Sequence, residues 1–217
     1  MPTIPKLLKT GCYYHVFNRG VEKRRIYLDD SYYQRFIKTL DYYQRAQAIR
    51  LSFHLNETEP SESEKDGKRL VSVLCYCLMP NHYHLVLKQL EDGGITKFMN
   101  DIANSYTRYF NTRLKRSGHL FQGGFKSKLI DSQESFLQVS RYIHLNPYDL
   151  HPEGARMFIK NYPYSSYRIF LGLAQKYGPC LHEDIKGFIN SEKEYREFVE
   201  SKIGLKSETG IESLVFK

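Results

Sequence analysis

Residues 70–88 carry the period-two pattern of a β-hairpin. Leu70 to Leu78 reads as one strand, Met79-Pro80-Asn81 as a turn, and His82 to Lys88 as the returning strand. Alternate residues of a strand share a face, so His82 and His84 point the same way, just after the turn. Two imidazoles presented together are a ready first half of a divalent-metal site. A lone His-x-His is a weak signal, more often explained by surface or core histidines. The second half of such a site needs an oxygen donor and a nucleophile or activated water.

The segments around the hairpin set the fold class. Residues 11–18 are β-prone and end in the turn signal Asn18-Arg19-Gly20. Asp29, Asp30 and Ser31 supply N-cap chemistry for a helix with Tyr33, Phe36, Ile37, Leu40 and Tyr43 on one stripe, expected to run to about Ala48. Asn56 to Lys68 is rich in Glu, Ser and Lys without an apolar period, and reads as a loop or inserted segment. After Gly93-Gly94, Ile95, Phe98, Met99, Ile102, Tyr106 and Tyr109 define a second amphipathic helix, stopped by Gly118. Phe125 to Ile130 is a fourth strand with Lys126 and Lys128 on one face. Asp131 and Glu134 resemble a capping box opening a third helix with Phe136, Val139 and Ile143 as its core stripe. The order β-α-β-β-α-β-α predicts an α+β fold: a ferredoxin-like split βαβ core with an antiparallel four-stranded sheet and one added helix. Residues 1–150 form the expected main domain, and 151–217 a mainly helical C-terminal extension.

Tyr142 and Asn146 lie about 40° apart on the wheel of the third helix, at the margin of its core stripe. Pro147 disfavours helical backbone at Asn146, so the helix is expected to end at or just before that residue. His144 lies about 160° from Tyr142 and is not a natural ligand beside it. Taken singly, each of these residues has a sufficient structural explanation in packing or capping.

Composition narrows the partners. There are 32 basic and 24 acidic residues, a formal charge of +8, which favours a polyanion. Arg113, Lys115 and Arg116 close the second helix, and Arg19 follows the first strand, placed either to meet a phosphate or to cap a turn. Cys12, Cys75, Cys77 and Cys180 have no zinc-type spacing and read as inert thiols. No stretch approaches the ~20 apolar residues that cross a bilayer, and Met1 to Lys6 lacks a signal-peptide core. The expected setting is cytoplasmic, with no membrane partner.

Four ordered segments together say more than any one of them. Tyr14-His15-Val16-Phe17-Asn18-Arg19-Gly20, Met79-Pro80-Asn81-His82-Tyr83-His84-Leu85-Val86, Gly118-His119-Leu120-Phe121-Gln122-Gly123 and Tyr142-Ile143-His144-Leu145-Asn146-Pro147 resemble the HUH single-tyrosine transposases. Within them the chain looks most like the REP-associated tyrosine transposase branch, and the Tyr162–Gly172 stretch is similar to the segment that follows there. The resemblance implies a metal-dependent transposase that cleaves and rejoins single-stranded DNA through a 5′-phosphotyrosine, at hairpin-forming repeats. Tyr142 would then be the nucleophile, and His82, His84 and Asn146 the ligands of Mg²⁺ or Mn²⁺. Arg19, Arg113, Lys115, Arg116, Lys126 and Lys128 would meet DNA. The chain departs from the family at Gly124, often a basic residue there, and at Phe121, often Trp; neither belongs to the catalytic set.

Two other readings compete with this one. A domesticated hairpin-DNA-binding protein would keep the fold without the chemistry. A ferredoxin-like RNA-binding module would stack bases on sheet aromatics, leaving the His pair and the Tyr142–Asn146 pair no reason to meet. The sequence leaves open whether Tyr142 serves the His pair of its own chain or of a partner's. A C-terminal extension placed over the surface that dimeric relatives use would favour a monomer over a homodimer.

Overall fold

The computed structural model describes residues 8–45, 68–174 and 176–204. The seven N-terminal residues, among them Met1 to Lys6, and nearly all of the polar 56–68 stretch lie outside the described residues. In chain order the core contains β1 (Tyr13–Arg19), a 3-10 turn (Val21–Lys23), α1 (Asp30–Tyr42), β2 (Val71–Met79), β3 (His82–Gln89), α2 (Gly94–Arg113), β4 (Lys126–Ile130) and α3 (Gln133–Leu145). The four strands form one antiparallel sheet in the order β2-β3-β1-β4. This is the α+β, split βαβ plan with a helix added after β4.

The sheet separates two layers because its strands alternate. Val16, Tyr83 and Leu85 face α1 and α2, where Phe36 packs 5.2 Å from the Tyr83 ring and 4.9 Å from the Tyr106 ring. The opposite face carries His15, Phe17, His82 and His84, and α3 lies over it through the buried Phe136, Val139 and Ile143. β2 is buried along its whole length, whereas β4 is an open edge. Charged residues on an exposed edge discourage further strand pairing, and Lys126 and Lys128 occupy it.

Three helix ends differ from the sequence reading. α1 stops at Tyr42 rather than near Ala48, because the chain turns to pair with the start of β2. The Leu70 amide donates to the Gln44 carbonyl at 2.6 Å, and Arg45 bridges to Arg69. α2 ends at Arg113, five residues before Gly118, with Lys115 in left-handed backbone. The cap of α3 is Ser132, whose hydroxyl accepts from the Ser135 amide at 3.0 Å. Asp131 instead accepts from the Ser135 hydroxyl, so the expected Asp131–Glu134 box does not form.

Beyond α3, the chain makes a 3-10 turn (Asn146–Leu150), then α4 (Ala155–Asn161), α5 (Tyr167–Phe170), the two-residue strands β5 (Lys176–Tyr177) and β6 (Cys180–Leu181), α6 (His182–Ile185) and α7 (Glu192–Glu200). This extension runs beside β2. The Leu78 amide donates to the Tyr164 carbonyl at 2.9 Å, and Cys77 bridges to Ser165. The outer edge of β2 is thereby partly paired, which protects backbone groups otherwise open to another chain. Among the described residues no helix is long and apolar enough to cross a membrane. Cys75, Cys77 and Cys180 are buried free thiols, and burial pushes the Cys75 and Cys180 thiols well up.

Candidate active site

The site is built on β3 at its junction with the hairpin turn. The turn is clamped from below: the Pro80 carbonyl accepts from the Ile26 amide at 2.8 Å, and the Asn81 carbonyl from the Gly20 amide at 2.8 Å. Asn81 Nδ2 donates to the Lys23 carbonyl at 3.1 Å, which turns its Oδ1 towards His82. His82 Nδ1 lies 2.7 Å from that oxygen. A nitrogen that close to an amide oxygen is a donor, so neutral His82 carries its proton on Nδ1 and a lone pair on Nε2.

That lone pair faces another acceptor. Asn146 Nδ2 donates to the Tyr142 carbonyl one helical turn back at 2.9 Å, fixing the carboxamide so that Oδ1 looks outward. His82 Nε2 and Asn146 Oδ1 then stand 3.4 Å apart. Two lone pairs oriented towards each other across such a gap repel unless a proton or a cation lies between them. The expected end of α3 is met in position, since Asn146 follows its last residue, Leu145. Its backbone nevertheless stays helical, at φ −53° and ψ −40°, because Pro147 continues the chain as the 3-10 turn. That continued helical path keeps Asn146 stacked one turn after Tyr142.

His84 completes the donor set. Its ring stands perpendicular to that of His82, with centroids 5.2 Å apart. Its Nδ1 is engaged by His15 Nε2 at 2.9 Å, so Nε2 is the ring nitrogen that could meet a cation. Two imidazoles and a carboxamide make an uncharged N₂O set, suited to a divalent ion that must keep its charge for an anionic substrate. No group of three or more His, Cys, Asp or Glu that could by itself hold a metal ion occurs among the described residues. The donors that could hold a cation are therefore His82, His84 and Asn146.

Tyr142 lies beside them, its ring edge-on to His84 at 5.3 Å and to His15 at 6.3 Å. Only 7% of its surface is exposed. Burial pushes its phenol above the ordinary range, and a side-chain hydrogen bond with Asn146 draws it back only in part. The hydroxyl is thus a neutral nucleophile until a nearby positive charge stabilises its phenolate.

The basic residues divide between the two layers. Arg19 is the cross-strand partner of His82, and Lys126 and Lys128 pair with Phe17 and His15 on the site's own face. The Arg19 guanidinium is bonded to Gln122, which anchors the 118–123 loop beside the site. Arg113 is the last residue of α2, and Lys115 and Arg116 lie in the turn after it, in the other layer. There Arg113 donates to the Ser31 hydroxyl at 2.8 Å and lies 4.9 Å over the Tyr32 ring, while Arg116 holds Asn111 and the His119 carbonyl. His144 turns away from the site, as the helical wheel predicts, into a buried network. Sequence reasoning assigned no role to His15 or Asn81. Asn81 was legible as the residue before the pair; His15 becomes a neighbour of His84 only through the β1–β3 register.

Comparison with known proteins speaks to the fold and the family. Among solved structures, the chain matches a REP-associated tyrosine transposase bound to a REP hairpin, with 14% identity and a TM-score of 0.52 over 79% of this chain and 86% of that one. At that identity the match speaks for a shared fold. Among curated proteins, none matches the chain. The sequence itself matches the family described as "Transposase IS200 like" over residues 9–146, more than half of the chain and the whole span from β1 to Asn146. On that evidence the chain belongs to the IS200-like transposase family.

Proposed function

We propose that this transposase cleaves and rejoins single-stranded DNA with Tyr142 as nucleophile, at ends that fold into hairpins, and that His82, His84 and Asn146 hold the divalent ion it needs. The observation that carries this reading is the approach of His82 Nε2 to Asn146 Oδ1, 3.4 Å apart, on the carboxamide held one helical turn after Tyr142. The bound ion supplies Lewis-acid stabilisation of the charge that builds on the scissile phosphate. The uncharged N₂O set suits Mn²⁺ better than Mg²⁺, which prefers oxygen donors.

The remaining chemistry falls to the chain's own residues. The Tyr142 phenolic oxygen attacks phosphorus, forming the 5′-phosphotyrosine bond as the bond to the 3′-oxygen breaks. The phenol gives up its proton and the departing strand end takes one up as a 3′-hydroxyl. One phosphodiester replaces another, so attack by a 3′-hydroxyl on the phosphotyrosine reseals a strand without a nucleotide cofactor. Arg19, Lys126 and Lys128, on the same face as the His pair, hold the strand by its phosphates. Arg113, Lys115 and Arg116 add longer-range attraction from the other layer. A hairpin substrate fits a relative of this fold that binds a REP hairpin.

The test is a denaturing gel of labelled hairpin oligonucleotides incubated with the protein and Mn²⁺. Wild type should yield a covalent protein–DNA band that Tyr142→Phe lacks while still retaining DNA. No adduct across a hairpin library, with DNA retained and Mn²⁺ bound, would instead identify a DNA-binding protein that has lost the chemistry.

A further inference from the structure

The two candidate imidazole ligands are each gripped from behind, but by different devices. His82 has the Asn81 carboxamide, a local partner in the hairpin turn. His84 is met by a second histidine from another strand. His15 is fully buried on β1, diagonal to His84 across the β1–β3 register in which Phe17 is the direct partner. His15 Nε2 and His84 Nδ1 are 2.9 Å apart. The ring planes differ by only 24°, and their centroids lie 5.1 Å apart. That centroid separation exceeds the nitrogen–nitrogen distance by about one ring's breadth, so the rings meet edge to edge. This is an in-plane N–H···N hydrogen bond rather than a stack.

We propose that His15 is a positioning residue that sets the tautomer and the aim of His84. The inference rests on the reading that His84 is a metal ligand. A neutral pair shares one proton across this contact. If His15 donates it, His84 keeps its own proton on Nε2 and has no lone pair for a cation. If His15 accepts, His84 holds its proton on Nδ1 and offers Nε2. Only the second arrangement makes His84 a ligand, and His15 then carries its own proton on Nδ1. Outer partners of this kind fix ring orientation and raise ligand basicity, and losing one typically costs about 10–100-fold in metal affinity. An imidazole acceptor performs this task without adding charge, so the site keeps its neutral donor set. A carboxylate at the same place would offset part of the cation's charge. Phe17, 4.9 Å from the His15 ring and 5.6 Å from the His84 ring, fills the space beside the pair and holds both rings in register.

Two measurements test this on the full chain. In ¹⁵N-histidine-labelled wild type without metal, nitrogen–proton correlation spectra should show His84 protonated on Nδ1 and bare at Nε2. A His84 proton on Nε2 would overturn the inference, whatever any variant does. In Mn²⁺ titrations followed by electron paramagnetic resonance, His15→Leu should bind about 10–100-fold more weakly than wild type. His15→Gln, whose side-chain oxygen accepts where Nε2 did, should bind within a few-fold of wild type. A His15→Leu protein that melts like wild type and binds Mn²⁺ as tightly would also overturn it. Failure of the wild type to bind Mn²⁺ would overturn the metal reading itself, while the tautomer measurement still reports whether His15 accepts.

Discussion

His144 Nδ1 sits 2.8 Å from the Tyr195 hydroxyl, joining α3 to α7 inside the protein. The direction of each bond in this network follows from its neighbours. Ser140 donates to the Leu137 carbonyl, so it accepts from Tyr195, and Tyr195 in turn accepts from His144. His144 Nε2 is left to accept, from the Ser166 hydroxyl at 3.0 Å or the Cys75 thiol at 3.3 Å. Every part of this network is satisfied by a neutral ring, and burial lowers the His144 pKa to about 3. In the unfolded chain the ring takes its proton near pH 6.5. Between those values the unfolded state binds more protons, so stability must fall as pH drops below about 6.5, by up to about 1.4 kcal/mol per pH unit. Urea unfolding at pH 7, 5 and 4 should show that loss in wild type, and a flatter profile in His144→Gln. Equal slopes in the two proteins would mean that His144 already titrates normally in the fold.

Asn146→Asp separates holding a cation from using it. The substitution adds a negative charge to the proposed donor set, otherwise neutral, and removes the amide that donates to the Tyr142 carbonyl. Affinity for hard cations rises with ligand charge, so Mn²⁺ should bind tighter, on the order of tenfold. The cation's pull on the phosphate and on the phenolate is weakened by the same charge, and adduct formation should slow by at least about tenfold. Calorimetric Mn²⁺ titration beside the gel assay checks both halves. A variant that binds tighter and also cleaves faster would contradict the placement of Asn146.

Much of this arrangement could be read before the structure, for a physical reason. Strand alternation is local, so it put His82 and His84 on one face; helical periodicity is local too, so it paired Tyr142 with Asn146 and sent His144 elsewhere. Register is not local. That His15 falls diagonal to His84, and Lys126 and Lys128 beside Phe17 and His15, depends on how β1 aligns with β3 and β4. The early end of α1 was hidden for the same reason, since it answers to the distant Leu70. The cap of α3 was misread because Asp131 and Ser132 are both good caps, and backbone geometry decided for Ser132.

Lys126 and Lys128 stand on an open edge strand, on the face that carries the site. If each meets one phosphate of a single strand, replacing both with Ala should reduce the salt dependence of binding, log K against log salt, by about 1.4 in slope. Affinity should fall most at low salt, with little change in melting temperature, since Lys126 is exposed and Lys128 half-exposed and surface charges add little to stability. An unchanged slope, measured by fluorescence anisotropy from 50 to 300 mM salt, would move the DNA path off β4.

Gly94 opens α2 where the helix passes close to β2. A Cβ there would meet the Leu70 carbonyl oxygen at 2.4 Å. That carbonyl cannot easily withdraw, because it accepts from the Leu90 amide at 3.0 Å and the Glu91 amide at 3.3 Å. Alanine is favoured over glycine by about 1 kcal/mol within a helix, yet here overpacking against fixed backbone, typically about 1–3 kcal/mol, should win. Gly94→Ala is therefore expected to lower the urea midpoint, whereas Gly187→Ala, where nothing lies within 4 Å of the added carbon, should leave it nearly unchanged. The strain would enter at the base of the β2–β3 hairpin, whose far end carries His82 and His84. Adduct formation should consequently weaken in Gly94→Ala well below its melting temperature. A Gly94→Ala protein as stable and as active as wild type would show that α2 can shift away from Leu70 without disturbing the site.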